Sequence, residues 1–282
     1  MIMNHLLLKN IFPKSIKRFI RYSLFPFNGS IPYKYDEPTF ANFNVSDFFL
    51  FRCDNFETEF IAENNLALVL AKPILCHHKF YFFNKVGKKC GFFEVEDDGF
   101  HITLKINKEI VGGEEIGSFF HQTDYPNSDV NKLISEDTTP LFFQHRGYSG
   151  FRRQASKTPL SSFVHGNFGA MYLDNNKVKS LAVQRKKHFY TPQVIINPKK
   201  SYDFFFNNPT HKNLSLRIIL STKTNKFVME REIVINPLGI YKFNLDNSSR
   251  LEELNISWET RLPIGRATIF EYQKSSFDVF HS

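Results

Sequence analysis

The sequence predicts a mainly β protein of antiparallel β-sandwich architecture, with two β domains and a short N-terminal helix. Three observations support this fold class. Phenylalanine and tyrosine, which favour strands and bury large areas, number 33 and 11 among the 282 residues. Short apolar runs recur along the chain with turn residues between them. An apolar content of 42% is enough to bury the core of one large or two ordinary domains.

The first predicted unit, residues 1–35, is a basic N-terminal segment. It holds six basic residues and no acid, and Ile16, Phe19 and Ile20 share one face of a short amphipathic helix predicted from Pro13 to Leu24. This helix either packs on the body of the protein or makes a peripheral contact with an anionic membrane surface. Because basic residues interrupt its apolar positions, the segment is interpreted as mature protein rather than as a secretory signal.

Residues 36–185 are predicted to form a β-rich domain. Gly87–Lys89 and Asp97–Gly99 have the composition of turns between strands. Asn127–Thr139 is the predicted short helix or irregular loop, with Asp129 as its N-cap. The predicted strands are Leu66–Leu75, Lys79–Asn84, Gly91–Val95 and Phe100–Ile106.

Residues 190–282 are predicted to form a C-terminal β-sandwich. Turn residues at Asn207–Pro209, Thr224–Lys226 and Asn236–Gly239 separate its apolar runs. Strands at this spacing, without helical segments between them, favour antiparallel pairing. The predicted strands centre on Phe204–Phe206, Leu214–Leu220, Val228–Ile235 and Tyr241–Leu245.

The positive charge of the chain is concentrated in one window. Between Thr138 and Tyr202 there are eleven lysines and arginines and one acid, while the whole chain carries +8, so the remainder is slightly acidic. A local positive field indicates a surface that meets an anion. Two alternatives stay open: the acidic residues of segment 36–59 neutralise part of the patch, or the lysines from Lys177 to Lys200 protect strand edges.

The first half of this window contains the candidate site. Segments Gln144–Arg153 and Ser161–Gly169 place four glycines and two histidines, together with arginines, in predicted loops. Glycine lets backbone N–H groups approach a ligand, and arginine offers a planar fork for carboxylate, sulfate or phosphate. The alternative is a pair of tight turns with solvated arginines. The predicted ligand-binding residues are Arg146, Tyr148, Arg152, Arg153 and Asn167.

Binding of an anionic ligand, above all an acidic saccharide, is the function predicted first, so the expected partner is an anionic small molecule or glycan. The second hypothesis is a lyase or hydrolase, in which His145 and His165 exchange protons with help from His121, while Arg146 stabilises negative charge. A nucleic-acid-binding or capsid-like role is the third, and it predicts a strong dependence on salt. The sequence leaves the oligomeric state open.

No metal and no cofactor are predicted. Cys76, His77, His78 and Cys90 offer four soft or borderline ligands, but neighbouring residues on a strand point to opposite faces. Cys76 and His77 would therefore diverge, and the two ligand pairs of a structural zinc are not formed. No nucleotide-binding or nucleophile-elbow motif is present. An odd count of three cysteines fits a reducing compartment, so a cytoplasmic location is expected. The longest apolar run, Leu66–Ala71, is too short to span a bilayer.

Overall fold

The structure is a computed structural model that describes residues 43–126, 128, 142–145, 147–154, 162–174, 177–180, 187–247, 252–261, 266–274 and 276–282. The predicted helix Pro13–Leu24 lies outside the described residues, as does Asn127–Thr139 apart from Ser128.

The mainly β, sandwich-like fold that the sequence predicts is confirmed. Twenty strands and one short helix form within the described residues, and the strands build four sheets. Eleven strands lie between residues 43 and 180, which we call the N-terminal half. They are β1 (Phe43–Arg52), β2 (Phe56–Glu63), β3 (Cys76–Asn84), β4 (Lys89–Asp97), β5 (His101–Ile106), β6 (Ile116–Asp124), β7 (Phe142–His145), β8 (Tyr148–Arg153), β9 (Ser162–His165), β10 (Asn167–Asp174) and β11 (Lys177–Ser180).

The N-terminal half is a sandwich of a large and a small sheet. The large sheet has the order β11-β10-β1-β6-β3-β4, with β7 paired in parallel to β1, and the small sheet has the order β5-β2-β8-β9. Phenylalanines from the two sheets meet in the core. The ring of Phe60 on β2 lies 4.6 Å from that of Phe49 on β1 and 5.0 Å from that of Phe119 on β6.

The predicted strand Leu66–Leu75 is wrong, because its first part forms helix α1 (Asn65–Leu70) and strand β3 begins only at Cys76. The side-chain oxygen of Asn64 caps the helix by accepting a hydrogen bond from Ala67 N at 3.1 Å. Ala71 then ends the helix in the left-handed conformation with φ 50°. A short apolar run is compatible with a buried helix as well as with a strand, and here the cap at Asn64 favours the helix.

Nine further strands lie between residues 187 and 282, which we call the C-terminal half. They form a five-stranded sheet, β12-β18-β15-β16 with β13 beside β18, and a four-stranded sheet, β17-β14-β19-β20. Trp258 is fully buried between these sheets. The strands are β12 (His188–Tyr190), β13 (Ile195–Ile196), β14 (Ser201–Asn207), β15 (Leu214–Thr222), β16 (Phe227–Ile235), β17 (Ile240–Asp246), β18 (Leu254–Thr260), β19 (Thr268–Gln273) and β20 (Ser276–His281).

The two halves contact each other over an apolar surface that main-chain groups reinforce. Leu50 packs in one cluster with Phe205, Phe270 and Val279 of the C-terminal half. Ile240 N donates to Lys85 O at 3.0 Å, and Ser118 Oγ donates to Leu238 O at 3.0 Å. Each described sheet takes its strands from one half only, while the predicted domain boundaries near residue 185 stay a prediction.

A buried arginine crosses the same junction. Arg52 is 2% exposed, and its guanidinium donates to Asp54 Oδ2 at 2.6 Å and to Tyr272 OH at 2.7 Å. The Tyr272 hydroxyl in turn donates to Asp203 Oδ2 at 2.8 Å. Lys242 approaches the same carboxylate oxygen at 2.9 Å and Arg52 Nη1 approaches it at 3.8 Å, so Asp203 meets positive charges from both halves.

Aromatic rings enclose that guanidinium. Its Cζ atom lies 3.9 Å from the ring centre of Phe56 and 4.5 Å from that of Phe270. The cation is therefore held both by hydrogen bonds and by the negative faces of two rings. Within the described ranges the structure has no helix of the length and apolarity needed to traverse a lipid bilayer.

Candidate functional site

The small sheet of the N-terminal half has one face turned away from the core, which we call the outer face. Along β2 the side chains alternate, so that Phe56, Thr58 and Phe60 are buried while Glu57 and Glu59 point outward. The neighbouring strands continue the same alternation. The outer face is formed by Glu57, Glu59, Ile61, Thr103, Lys105, Tyr148, Gly150, Arg152, Phe163 and His165.

Aromatic side chains cover one side of the outer face. The ring of Phe163 lies on the backbone of Gly150, since a Cβ atom built there would be 2.4 Å from Phe163 Cε1. This ring remains 44% exposed. Beside it, Tyr148 and His165 pair across β8 and β9 with their ring centres 4.3 Å apart. These three side chains, Tyr148, Phe163 and His165, form what we call the aromatic platform.

A pocket of about 470 Å³ opens on the other side of the outer face. Arg152 spans the two regions, because it lines the pocket and lies two residues from Gly150 on the same face of β8. Its Nε donates to Glu57 Oε2 at 3.1 Å, and its Nη2 bonds to the same oxygen. The charged lining consists of Glu57, Glu59, Lys105, Lys108 and Arg152.

The floor of the pocket includes a buried cysteine. Cys53 is 3% exposed, and its thiol donates to Ile106 O at 3.5 Å. Burial raises the pKa of this thiol to about 11, so it stays protonated and is not a nucleophile at neutral pH.

Three of the predicted site residues lie together on the outer face: Tyr148, Arg152 and His165. Arg153 does not, since successive residues on a strand point to opposite faces. Its guanidinium carbon lies 5.6 Å from the ring centre of Tyr272, at the junction between the halves. Arg152 and Arg153 therefore act on different surfaces.

The remaining predicted residues lie elsewhere. Asn167 begins β10 opposite Phe48 and is 6% exposed, and its amide N and O have no hydrogen-bond partner among the described residues. The backbone of His145 ends β7 opposite Ser46 of β1, but its side chain and the whole of Arg146 lie outside the described residues. Proton exchange between His145 and His165 therefore stays a prediction.

His121 belongs to a buried chain of hydrogen bonds in the large sheet. Cys76 Sγ lies 2.9 Å from His78 Nε2, and His78 Nδ1 lies 2.9 Å from His121 Nε2. All three residues have no exposed surface, and the ring of Phe80 stacks on His121 at 4.7 Å. His121 therefore lies in the core and away from the outer face. Among the described residues, no group of three or more His, Cys, Asp and Glu could hold a metal ion.

Adjacent residues of the strand do not predict this chain of hydrogen bonds. Cys76 and His77 diverge as neighbours on a strand, but Cys76 and His78 share a face. Burial lowers the pKa of His78 to about 4 and raises that of Cys76 to about 12. Both side chains are neutral at pH 7, so the thiol acts as a donor to a neutral imidazole.

Acid should destabilise the protein through His78. Its pKa is lower in the folded state than the ordinary value of 6.5, so the unfolded state binds more protons between pH 6.5 and 4. The stabilisation that neutral His78 contributes is fully present above pH 6.5. It is lost as the pH falls, and the loss reaches about 3 kcal/mol at pH 4. Urea unfolding of wild type and His78→Gln across pH 4–7.5 tests this. The variant should be less stable at pH 7 but should have a shallower pH dependence, and equal slopes would contradict the assignment.

No family model and no curated protein matches the sequence. A β-glucuronidase from glycoside hydrolase family 2 aligns in structure at 10% identity and a TM-score of 0.16, over 83% of this chain and 23% of that one. A glycosyl hydrolase family 2 member from Bacteroides cellulosilyticus aligns at 10% identity and a TM-score of 0.17, over 89% and 30%. The chain spans less than a third of the length of either protein.

Proposed function

We propose that the protein binds an anionic saccharide on the outer face of the small sheet, with a sugar ring against Phe163 and the acid group beside Arg152. The observation that carries the proposal is the exposed ring of Phe163, held on Gly150 next to a pocket whose lining has three cations and two carboxylates. An aromatic ring and a pocket with excess positive charge on one face match the two parts of an acidic sugar.

The aromatic platform suits the sugar ring. The C–H bonds on one face of a pyranose carry partial positive charge and pack against the negative face of an aromatic ring. Phe163 is fixed for this contact because the Gly150 backbone supports it from below. An immobilised ring loses little conformational entropy on binding, which increases affinity.

The pocket suits the acid group. Arg152 has five N–H groups, and its hydrogen bonds to Glu57 use Nε and Nη2, so donors remain for a carboxylate or sulfate. Lys105 and Lys108 add two further positive charges to the pocket lining. An anion beside Arg152 would lie on the same face of the sheet as the aromatic platform.

Removing the ring of Phe163 should weaken binding at least about tenfold, measured by calorimetry with the best acidic glycan found on a glycan array. Phe163→Tyr should keep the affinity. Gly150→Ala should also weaken binding, because the new methyl displaces the Phe163 ring while the fold is kept. Phe189→Ala is the matched control, since Phe189 is 61% exposed on β12 in the other half.

The same array distinguishes the other hypotheses. Single-stranded DNA and neutral glycans are included, and each positive is repeated at two salt concentrations. Binding that follows charge alone, falls steeply with salt and ignores Phe163→Ala would contradict the proposal and favour nucleic acid as the partner.

A further inference from the structure

Two opposite charges face each other in the pocket without pairing. Glu59 on β2 and Lys105 on β5 are direct cross-strand partners, and both line the pocket. Directly opposed residues have Cβ atoms about 4.5–5.5 Å apart, so these side chains have the reach to form an ion pair. Among the described residues the structure pairs Arg152 with Glu57 but forms no salt bridge between Glu59 and Lys105.

Glu59 also has a neighbour on its other side, where the ring of Phe163 lies over Gly150. Its cross-strand partner on β8 is Gly150, which has no side chain, and Gly150 is in turn opposite Phe163 on β9. One row across the sheet therefore presents a cation, a carboxylate and an aromatic ring in that order. With strands about 4.8 Å apart, the row from Lys105 to Phe163 spans about 14 Å, the length of two to three sugar residues.

We infer that this row selects a saccharide that bears a free amino group as well as an acid group, with the ammonium at Glu59 and the acid at Lys105 and Arg152. This inference rests on the proposed function. A glycan with acid groups alone would place its negative charge beside Glu59, and that repulsion reduces its affinity. A glycan with both charges pairs each one and keeps the contact with Phe163.

The experiment compares two forms of one polymer fragment. Hyaluronan oligosaccharides, in which acid and N-acetylamino sugars alternate, are used either fully N-acetylated or with free amines after N-deacetylation. We expect the deacetylated form to bind wild-type protein about tenfold more tightly, the factor that corresponds to one additional favourable charge contact. Glu59→Gln should remove this preference, whereas the control Glu63→Gln, on the same face of β2 but outside the pocket, should keep it.

The outcomes separate the two proposals. If both forms bind equally and both need Phe163, the inference about the amino group is overturned and the proposed function stands. If neither form binds and no other acidic glycan binds on the array, the proposed function itself fails. If the deacetylated form binds more tightly but Glu59→Gln leaves the ratio unchanged, the preference arises elsewhere and the inference is also overturned. Unfolding curves of the variants should match wild type, because both side chains are partly exposed and Gln has nearly the same volume as Glu.

Discussion

Replacing Arg52 by methionine should lower the free energy of unfolding by about 3–5 kcal/mol, the range found when one partner of a buried ion pair is removed. The guanidinium is 2% exposed and bonds to Asp54 and Tyr272. Its loss leaves the Tyr272 hydroxyl without one partner, and Asp203, which is 3% exposed, loses a nearby positive charge. Methionine keeps most of the volume, so the loss reports charge and hydrogen bonds more than packing.

Two variants calibrate this result in urea unfolding experiments. Arg217→Met removes an exposed pair with Glu230 and should cost no more than about 1 kcal/mol. Arg52→Lys should recover only part of the stability, because an ammonium cannot reproduce the forked bonds to Asp54 or the flat contact with Phe56. If Arg52→Met were as mild as Arg217→Met, the junction between the halves would not depend on this cation.

Gly87→Ala should be the most damaging single methyl addition at the junction. Gly87 has φ +83°, and a Cβ atom there would lie 1.8 Å from Pro237 O. Pro237 belongs to the turn between β16 and β17, so a main-chain atom of the other half would have to move. We expect a loss of more than about 3 kcal/mol, combining the cost of a left-handed alanine with that of the displaced turn.

Gly113→Ala separates those two contributions. Gly113 has φ +86°, nearly the same backbone conformation, but nothing lies within 4 Å of the position of its Cβ. Gly113→Ala should lower the free energy of unfolding by about 1–2 kcal/mol, which is the cost of the left-handed backbone conformation alone. The difference between the two variants in thermal or urea unfolding measures the contact between the halves, and equal losses would show that Pro237 moves freely.

Alternation in the sequence predicts strands well where turn residues bound them. Leu214–Leu220 was predicted from its apolar alternation and forms most of β15. The run after Asn64 shows the limit, since the same apolar letters fit a helix once a cap is present. The cap itself is readable from the sequence, as an Asn directly before the apolar run.

The candidate site was predictable only in part. The residue types of Tyr148, Arg152 and His165 predict a place in the site, and the three share one face because β8 and β9 pair. Arg153 was grouped with Arg152 because the segment was predicted to be a loop, whereas strand alternation separates them. Glu59, Lys105 and Phe163 come from distant segments, and no local pattern reports the sheet register that aligns them.

The contact between the halves has a consequence for how this sequence can diverge. Lys85, Leu238 and Ile240 make it through main-chain groups, which every amino acid except proline at a donor position supplies. The exposed side chain of Lys85 can therefore vary over evolutionary time, whereas Ile240 and Leu238 also place buried side chains in core clusters and should stay apolar. A sequence that keeps this junction should therefore also keep a glycine in the turn between β3 and β4, where a Cβ atom would collide with Pro237 O.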